Sequence, residues 1–330
     1  MRIAVDAMGT DNRPVPDVAG AVMAAREWGD EICLVGPPAL LEAELSKHDV
    51  SGLKLEIVPA SQDITMLDKP TEAAREKPDS TMHVGLNLVR DGAADAFVSA
   101  GNTGGLLTVA TLYTVKRIRG IKRPALTAII PTIEGRLIAA DIGANADCKP
   151  EFLVQFAQMA SLYAELALGI ERPRVALLSN GEEDSKGNEL VKATFPLLKA
   201  MPSLNFIGNA EPKELLTGMT DVVIHDGFTG NVFIKSSEAA VRAMRTLLRQ
   251  EIRAGLLTSL GGMLAKPAFE RVSQRMNEEV VGGAPLLGLD GIVISAHGRS
   301  TALAMKNAIL RAREAVGSGL LAAIKERVLS

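Results

Sequence analysis

Six stretches of this chain set glycine among side chains that carry or bind charge: residues 6–11, 99–105, 141–149, 179–188, 225–231 and 295–301. In four of them an Asn stands close behind a Gly, at Asn102, Asn145, Asn188 and Asn231. Glycine permits turns that other residues resist, and Asn caps helices. Residues 221–235 show what such a corner can do. Val222, Val223 and Ile224 read as a short buried strand, because a β-branched run stops abruptly at polar residues and glycine. Asn231 stands where a helix is expected to open, ahead of Val232, Ala239, Ala240 and Ala243. Strand, turn and helix start together aim unpaired N–H groups and the positive end of a helix dipole into one small space. A phosphate or a developing oxyanion fits there. Ligands of parallel sheets gather outside the carboxyl ends of the strands, so the corners are expected to share one anion site. Its candidate ligands are Ser99, Gly101, Asn102, Thr103 and Gly104, then Asn145, then Gly187 and Asn188, then Gly230.

Several other chemistries are absent. No G-x-x-x-x-G-K-[ST] exists, so Lys186 is not a nucleotide-loop lysine. No strand is followed by G-x-G-x-x-G, no G-x-S-x-G carries a serine nucleophile, and H-E-x-x-H is missing. His48, His83, His225 and His297 lack metal-ligand spacing, and so do Cys33 and Cys148, which read as small buried hydrophobes. The net charge of −3 gives no general affinity for nucleic acid, so an anionic partner must meet a local basic patch.

The elements that must position these corners follow from the pattern. Hydrophobic residues make up 47% of the 330 and aromatics only 3%, an aliphatic composition that suits Val/Ile/Leu strands of an α/β protein. Strands are expected over 2–7, 32–35, 53–59, 94–99, 137–140, 175–178, 222–224 and 292–294. Helices are expected over 15–28, 38–47, 79–90, 106–115, 151–168, from 189 to 198, and 302–315. Residues 68–72 read as a loop into a helix with Thr71 as its cap. Repeated strand–turn–helix units mean right-handed crossovers and a largely parallel sheet. Asp6 arrives too early for a signal peptide, and no run is long enough to span a membrane, so a soluble intracellular protein is expected. Arg242, Arg245, Arg249 and Arg253 form one charged helix face; Leu248, Ile252, Leu256 and Leu260 form an apolar stripe on the same segment. That segment suits a core-facing or dimer-facing helix, and equally an interfacial helix on anionic lipid.

At this point the motifs become recognisable. Ala4-Val-Asp-Ala-Met-Gly9, Ser99-Ala-Gly-Asn-Thr-Gly104, Asp141-Ile-Gly-Ala-Asn-Ala-Asp-Cys-Lys-Pro150, Gly181-Glu-Glu-Asp-Ser-Lys-Gly-Asn188, Asp226-Gly-Phe-Thr-Gly-Asn231 and Gly282-Gly-Ala-Pro-Leu-Leu-Gly288 resemble, in order, the phosphate acyltransferases of bacterial phospholipid synthesis. Thr10 departs from a usual second Gly, and Ser179-Asn180 from a usual Asn-Ile pair. The resemblance implies an isopropylmalate-dehydrogenase-like, three-layer α/β/α sandwich over residues 1–330, in two lobes, with a helical protrusion over about 242–275. It implies transfer of a long-chain acyl group from acyl carrier protein to inorganic phosphate, without metal or cofactor. It also implies a homodimer, peripheral association with the inner face of the membrane, and delivery of acyl phosphate to a membrane glycerol-3-phosphate acyltransferase. A short-chain phosphotransacetylase and a membrane-recruiting scaffold are the competing readings.

Inorganic phosphate is already a dianionic nucleophile near neutral pH, so positioning can supply most of the catalysis. Lys186 is expected to grip phosphate and protonate the departing thiolate, and Asn231 to donate to the oxyanion. Asp226 is expected to orient one of them, His297 to serve as a proton donor, and Asn102 with Thr103 to cradle phosphate oxygens. Arg245, Arg249, Arg253, Leu256 and Leu260 are the expected membrane or carrier contacts. The basic run over 116–123 reads as a solvated face or as a dock for the acidic carrier.

Overall fold

The computed structural model describes residues 1–275 and 278–328. Short aliphatic runs, each closed by a polar corner, form eleven strands of one sheet. They are β1 (Arg2–Asp6), β2 (Glu31–Gly36), β3 (Leu55–Pro59), β4 (Ala96–Ser99), β5 (Ala125–Thr132) and β6 (Gly135–Ala140). β7 (Arg174–Leu178), β8 (Asn205–Ala210), β9 (Val222–Ile224), β10 (Ala284–Leu287) and β11 (Ile292–Ser295) complete it. The helices begin with α1 (Val15–Trp28), α2 (Pro38–Leu45), α3 (Pro70–Glu76), α4 (Thr81–Arg90), α5 (Thr103–Thr108) and α6 (Pro150–Leu166). They continue with α7 (Glu189–Lys199), α8 (Pro212–Leu215), α9 (Gly227–Arg253), α10 (Leu256–Arg275), α11 (Glu278–Val281), α12 (Ala302–Gly317) and α13 (Leu320–Arg327).

Strand residues alternate between two cores, as a sheet buried on both faces requires. Ile3 and Val5 of β1 join the core beneath α1, α6 and α12, while Ala4 between them joins the core beneath α4 and α5. Val222 and Ile224 of β9 share the first core, and Val223 turns to a third cluster capped by Phe233 and Ile234 of α9. The result is an α/β/α sandwich.

The strand order is β3-β2-β1-β4-β11-β10-β5-β6-β9-β7-β8. Pairing is parallel except at the centre: β10 runs antiparallel to β11 and β5, and β5 antiparallel to β6. The two parallel blocks therefore point in opposite directions across a β10–β5 seam. The sheet is largely parallel, but β5, β8 and β10 lie outside the strands expected from sequence. Pro131 and Pro285 interrupt β5 and β10, and β8 is an edge strand with a polar sequence, so neither propensity nor cadence marks them. Thr71 is not a cap: Pro70 opens α3 after Lys69, because proline's missing N–H costs nothing at the first helical position. No helix among the described residues is long and apolar enough to cross a membrane.

Two buried titratable groups bracket the sheet. Asp17 in the first turn of α1 accepts from the Thr10 hydroxyl at 2.5 Å, and burial pushes its carboxyl up to about 7. His225, just past β9, is pushed down to about 4 by burial. Between about pH 4 and 7 the native state holds the Asp17 proton more tightly than the unfolded chain, so this group makes stability fall as pH rises. His225 does the reverse between about pH 4 and 6.5, where only the unfolded chain binds its proton. The slopes oppose each other. Asp17→Asn should therefore leave a urea midpoint that climbs from pH 4 to 6.5, and His225→Gln one that declines over pH 4 to 7. Two variants with profiles parallel to the wild type would show that neither group carries the linkage.

Candidate active site

One carboxylate organises the corner after β6. Asp141 is fully buried, and Oδ1 accepts from the N–H groups of Leu126 at 3.0 Å, Gly143 at 3.1 Å and Ala144 at 3.0 Å. Its Oδ2 accepts from Asn145 N at 2.7 Å and Asn145 Nδ2 at 2.8 Å. The corner is thereby pinned to the start of β5. Gly143 has φ of +148°, and a Cβ there would sit 3.3 Å from Nδ2 of Asn231, so glycine keeps the amide in place. From the other side, a Cβ on Gly230 would lie 2.2 Å from both the Asp141 carbonyl oxygen and the His225 ring. Only glycine lets α9 seat this closely.

Between β5, β10, α5 and α9 lies a cleft of about 500 Å³. Its floor is apolar: Leu126, Ala128 and Ile130 of β5 with Ala284 and Leu286 of β10. Leu107 and Ile234 form apolar parts of the side walls. Polar groups gather toward the strand ends. Thr103, Ser295 and His297 enter from one parallel block, and Asn231 with Lys235 from the other. The Thr103 and Ser295 hydroxyls are 3.5 Å apart. Nδ1 of His297 accepts the Arg299 N–H at 3.3 Å. Lys235 forms an ion pair with Glu238 at 3.6 Å.

The expected site residues divide. Gly101, Thr103, Gly104, Asn231 and His297 all line the cleft. Asn231 is not a helix cap, however: it lies in the second turn of α9, whose cap is Asp226. That placement leaves its amide without a hydrogen-bond partner among the described residues. Asp226 spends its carboxylate on Thr229, accepting from N at 2.7 Å and Oγ1 at 2.9 Å. The Gly227 N–H meets the Asn145 carbonyl at 2.7 Å and the Gly230 N–H meets that of Asp226 at 3.0 Å. The start of α9 is thus largely satisfied internally and does not offer the open cluster of donors expected of it.

The other corners hold their own turns together. Asn102 caps α5, accepting from Gly105 N at 3.0 Å, and donates to the Thr65 and Asp68 carbonyls. Ser99 donates to Asp6 at 2.7 Å and accepts from Gly101 N at 3.1 Å. Asn145 donates to the Pro124 carbonyl, and Asn188 caps α7. Gly187, with φ of +98°, donates to Asn180. These side chains read as ligands from sequence because caps and anion sites draw on the same residue types. The corner after β7 does not wall the cleft, and Lys186 on it is exposed. The corner after β1 walls a smaller pocket of about 240 Å³, which shares Met66 and Gly101 with the cleft.

Lys235 and Ser295 were not among the expected residues. Lys235 lies four residues after Asn231, on one helix face, a signal the sequence did contain. Cys148 is not a nucleophile in waiting, since burial, with Asp141 nearby, pushes its thiol up to about 12. The tightest group of possible metal ligands among the described residues, Glu31, Cys33 and Glu56, is bridged by the Arg2 guanidinium. Beyond Val241, α9 and α10 carry almost no buried residue: Arg245, Arg249 and Arg253 are exposed, Leu256 is 92% exposed and Leu260 53%.

Fold and site together define an α/β protein with an apolar cleft that carries polar side chains toward the strand ends. Residues 1–323 match the family described as "Fatty acid synthesis protein". A protein of Geobacter sulfurreducens named phosphate acyltransferase is 45% identical over 328 residues, covering 99% of this chain and 94% of the relative. The chain belongs to this phosphate acyltransferase family and is an acyltransferase. Among solved structures, a phosphotransacetylase from Streptococcus pyogenes superposes with a TM-score of 0.59 at 18% identity, over 96% of this chain and 94% of that one. A 4-hydroxythreonine-4-phosphate dehydrogenase from Klebsiella pneumoniae does so with 0.52 at 14% identity, over 96% and 99%. These last two likenesses are of fold, the isopropylmalate-dehydrogenase-like type.

Removing the organising carboxylate leaves five donors without an acceptor. Asp141→Ala is expected to cost about 1–3 kcal/mol in urea unfolding, since it orphans the buried Leu126 N–H and leaves four part-buried donors to water. Acyl transfer should fall with it. A variant that unfolds at the wild-type midpoint would show that the corner stands without Asp141.

Proposed function

We propose that the chain transfers a long-chain fatty acyl group from acyl carrier protein to inorganic phosphate, by direct attack of phosphate on the thioester. The observation that carries this reading is the cleft itself: an apolar floor continuous with a polar end, and no activated nucleophile beside it among the described residues. The acyl chain lies on β5 and β10, and the thioester carbonyl sits by Asn231, whose amide donates to the oxyanion. A phosphate oxygen bonds the carbonyl carbon, the C–S bond breaks, and the carrier thiolate takes a proton. Thr103 and Ser295 hydroxyls and the first-turn N–H groups of α5 receive the phosphate oxygens, and His297 is the proton donor nearest in role.

Lys186 is one phosphate cation in this reading. Its neighbours Glu182 and Asp184 are paired to Lys213 and Lys199, whereas Lys186 forms no ion pair among the described residues. β7 pairs in parallel with β9, so its corner lies beside the one that launches α9. Lys235 is the second cation. The exposed α9–α10 hairpin supports a contact with anionic lipid or a second subunit, and product delivery to a membrane acyltransferase follows from the first.

Asn231→Ala should lower kcat by about 10²–10³ with little change in the phosphate KM. Lys186→Ala and Lys235→Ala should chiefly raise that KM. Palmitoyl carrier protein should be turned over and acetyl-CoA not; the opposite preference would make this a short-chain phosphotransacetylase. Leu256→Glu with Leu260→Glu should reduce cosedimentation with anionic vesicles more than the reaction in solution. Equal sedimentation would assign the hairpin to the partner subunit.

A further inference from the structure

Residues 116–123 carry five cations and no acid, in a chain whose net charge is −3. In this loop before β5 the apolar residues face inward. Ile118, Ile121 and the following Pro124 are buried, while Lys116, Arg117, Arg119, Lys122 and Arg123 are all exposed. The loop is also held in one shape. The Ile118 N–H bonds the Gly288 carbonyl at 3.0 Å, and Gln155 of α6 accepts from the Lys122 N–H at 2.8 Å and donates to the Gly120 carbonyl at 3.1 Å. Arg117 donates to the Lys122 carbonyl, and Arg123 lies over the Phe152 ring at 5.9 Å. Asp290, whose N–H bonds the Lys116 carbonyl at 2.9 Å, gives its carboxylate to Lys325, and none of the five cations forms an ion pair among the described residues. A fixed cluster of unneutralised charge sets up a local positive potential that attracts an anionic partner.

The loop adjoins the corner that faces Asn231. The Pro124 carbonyl accepts from Asn145 Nδ2 at 2.7 Å, and the Asn145 carbonyl accepts from the Gly227 N–H at 2.7 Å, so loop, corner and the start of α9 are bonded in series. Gly143 of that corner lies against the Asn231 amide. From Arg123 to Leu126, on the cleft floor, an extended chain advances roughly 10 Å. The arginines of the hairpin stand farther off: from Asn231 to Arg245, α9 advances about 21 Å. They also share their segment with the exposed Leu256 and Leu260, a mixture that suits lipid. The loop turns its isoleucines inward and offers charge alone, which fits an acidic protein surface better than a bilayer.

We propose that the 116–123 loop is the docking surface for the acidic carrier protein, holding the carrier body on the rim while its acyl-pantetheine arm enters the cleft. This rests on the carrier-dependent reading of the site. The test compares palmitoyl-carrier protein with palmitoyl-pantetheine, which has the same thioester and no protein surface. Arg119→Glu with Lys122→Glu should raise the KM for palmitoyl-carrier at least about tenfold at low ionic strength, since like charges then meet across the contact. Turnover of palmitoyl-pantetheine should stay unchanged, which also shows that the variant is folded. Added salt should raise the wild-type KM for the carrier and narrow its gap to the variant. A wild type that uses palmitoyl-carrier, beside a variant with an unchanged KM for it, overturns the proposal alone. An equal loss with both substrates does the same, because the loop would then serve the fold or the chemistry. So does a variant that loses only cosedimentation with anionic vesicles, or a rise in carrier KM that appears only with Arg245→Glu and Arg249→Glu. A wild type that turns over acetyl-CoA and neither palmitoyl substrate overturns the carrier reading and this proposal with it.

Discussion

The buried carboxylate of Asp141 is the interaction on which the rest of the site depends. A charge withdrawn from water is tolerated only where donors replace the water, and five N–H groups do so here. Those donors come from two places in the chain, the start of β5 and the corner after β6, so one side chain joins the cleft floor to the turn that faces α9. Gly143 and Gly230 then allow the helix to approach until the Asn231 amide lies over the corner. Position of the amide is a consequence of this packing more than of anything local to α9.

The antiparallel seam is the second constraint. In a wholly parallel sheet the polar corners would line one rim. Here the two blocks run in opposite directions, and β10 and β5 join them. The seam is floored by apolar strands and walled by α5 from one block and α9 from the other. A long apolar slot with polar groups at its edge follows from that arrangement. α9 also serves a second purpose: its first two turns belong to the cleft, and its later turns leave the body with α10 and expose an apolar face.

Legibility differed by the kind of interaction involved. The β9 strand and its flanking corner were readable because a β-branched run closed by glycine and charge suits little besides a buried strand and its turn. The strands β5 and β10 were not, since Pro131 and Pro285 argue locally against strands, and only pairing with β6 and β11 overrides them. Of the Asn residues behind glycine, Asn102, Asn145 and Asn188 are spent on caps and turns, and Asn231 alone lines the cleft. Residue type cannot separate these outcomes, because a capping amide and a ligand-binding amide use the same atoms.

What the sequence by itself determined was the α/β class, the family and the set of corners, because aliphatic runs, glycine turns and motif order are local properties of the chain. What only the tertiary structure decided was which corners meet. Side chains from residues 103, 231, 235, 295 and 297 share one cleft because β10 and β5 reverse the sheet between them, a matter of long-range pairing that local pattern does not encode.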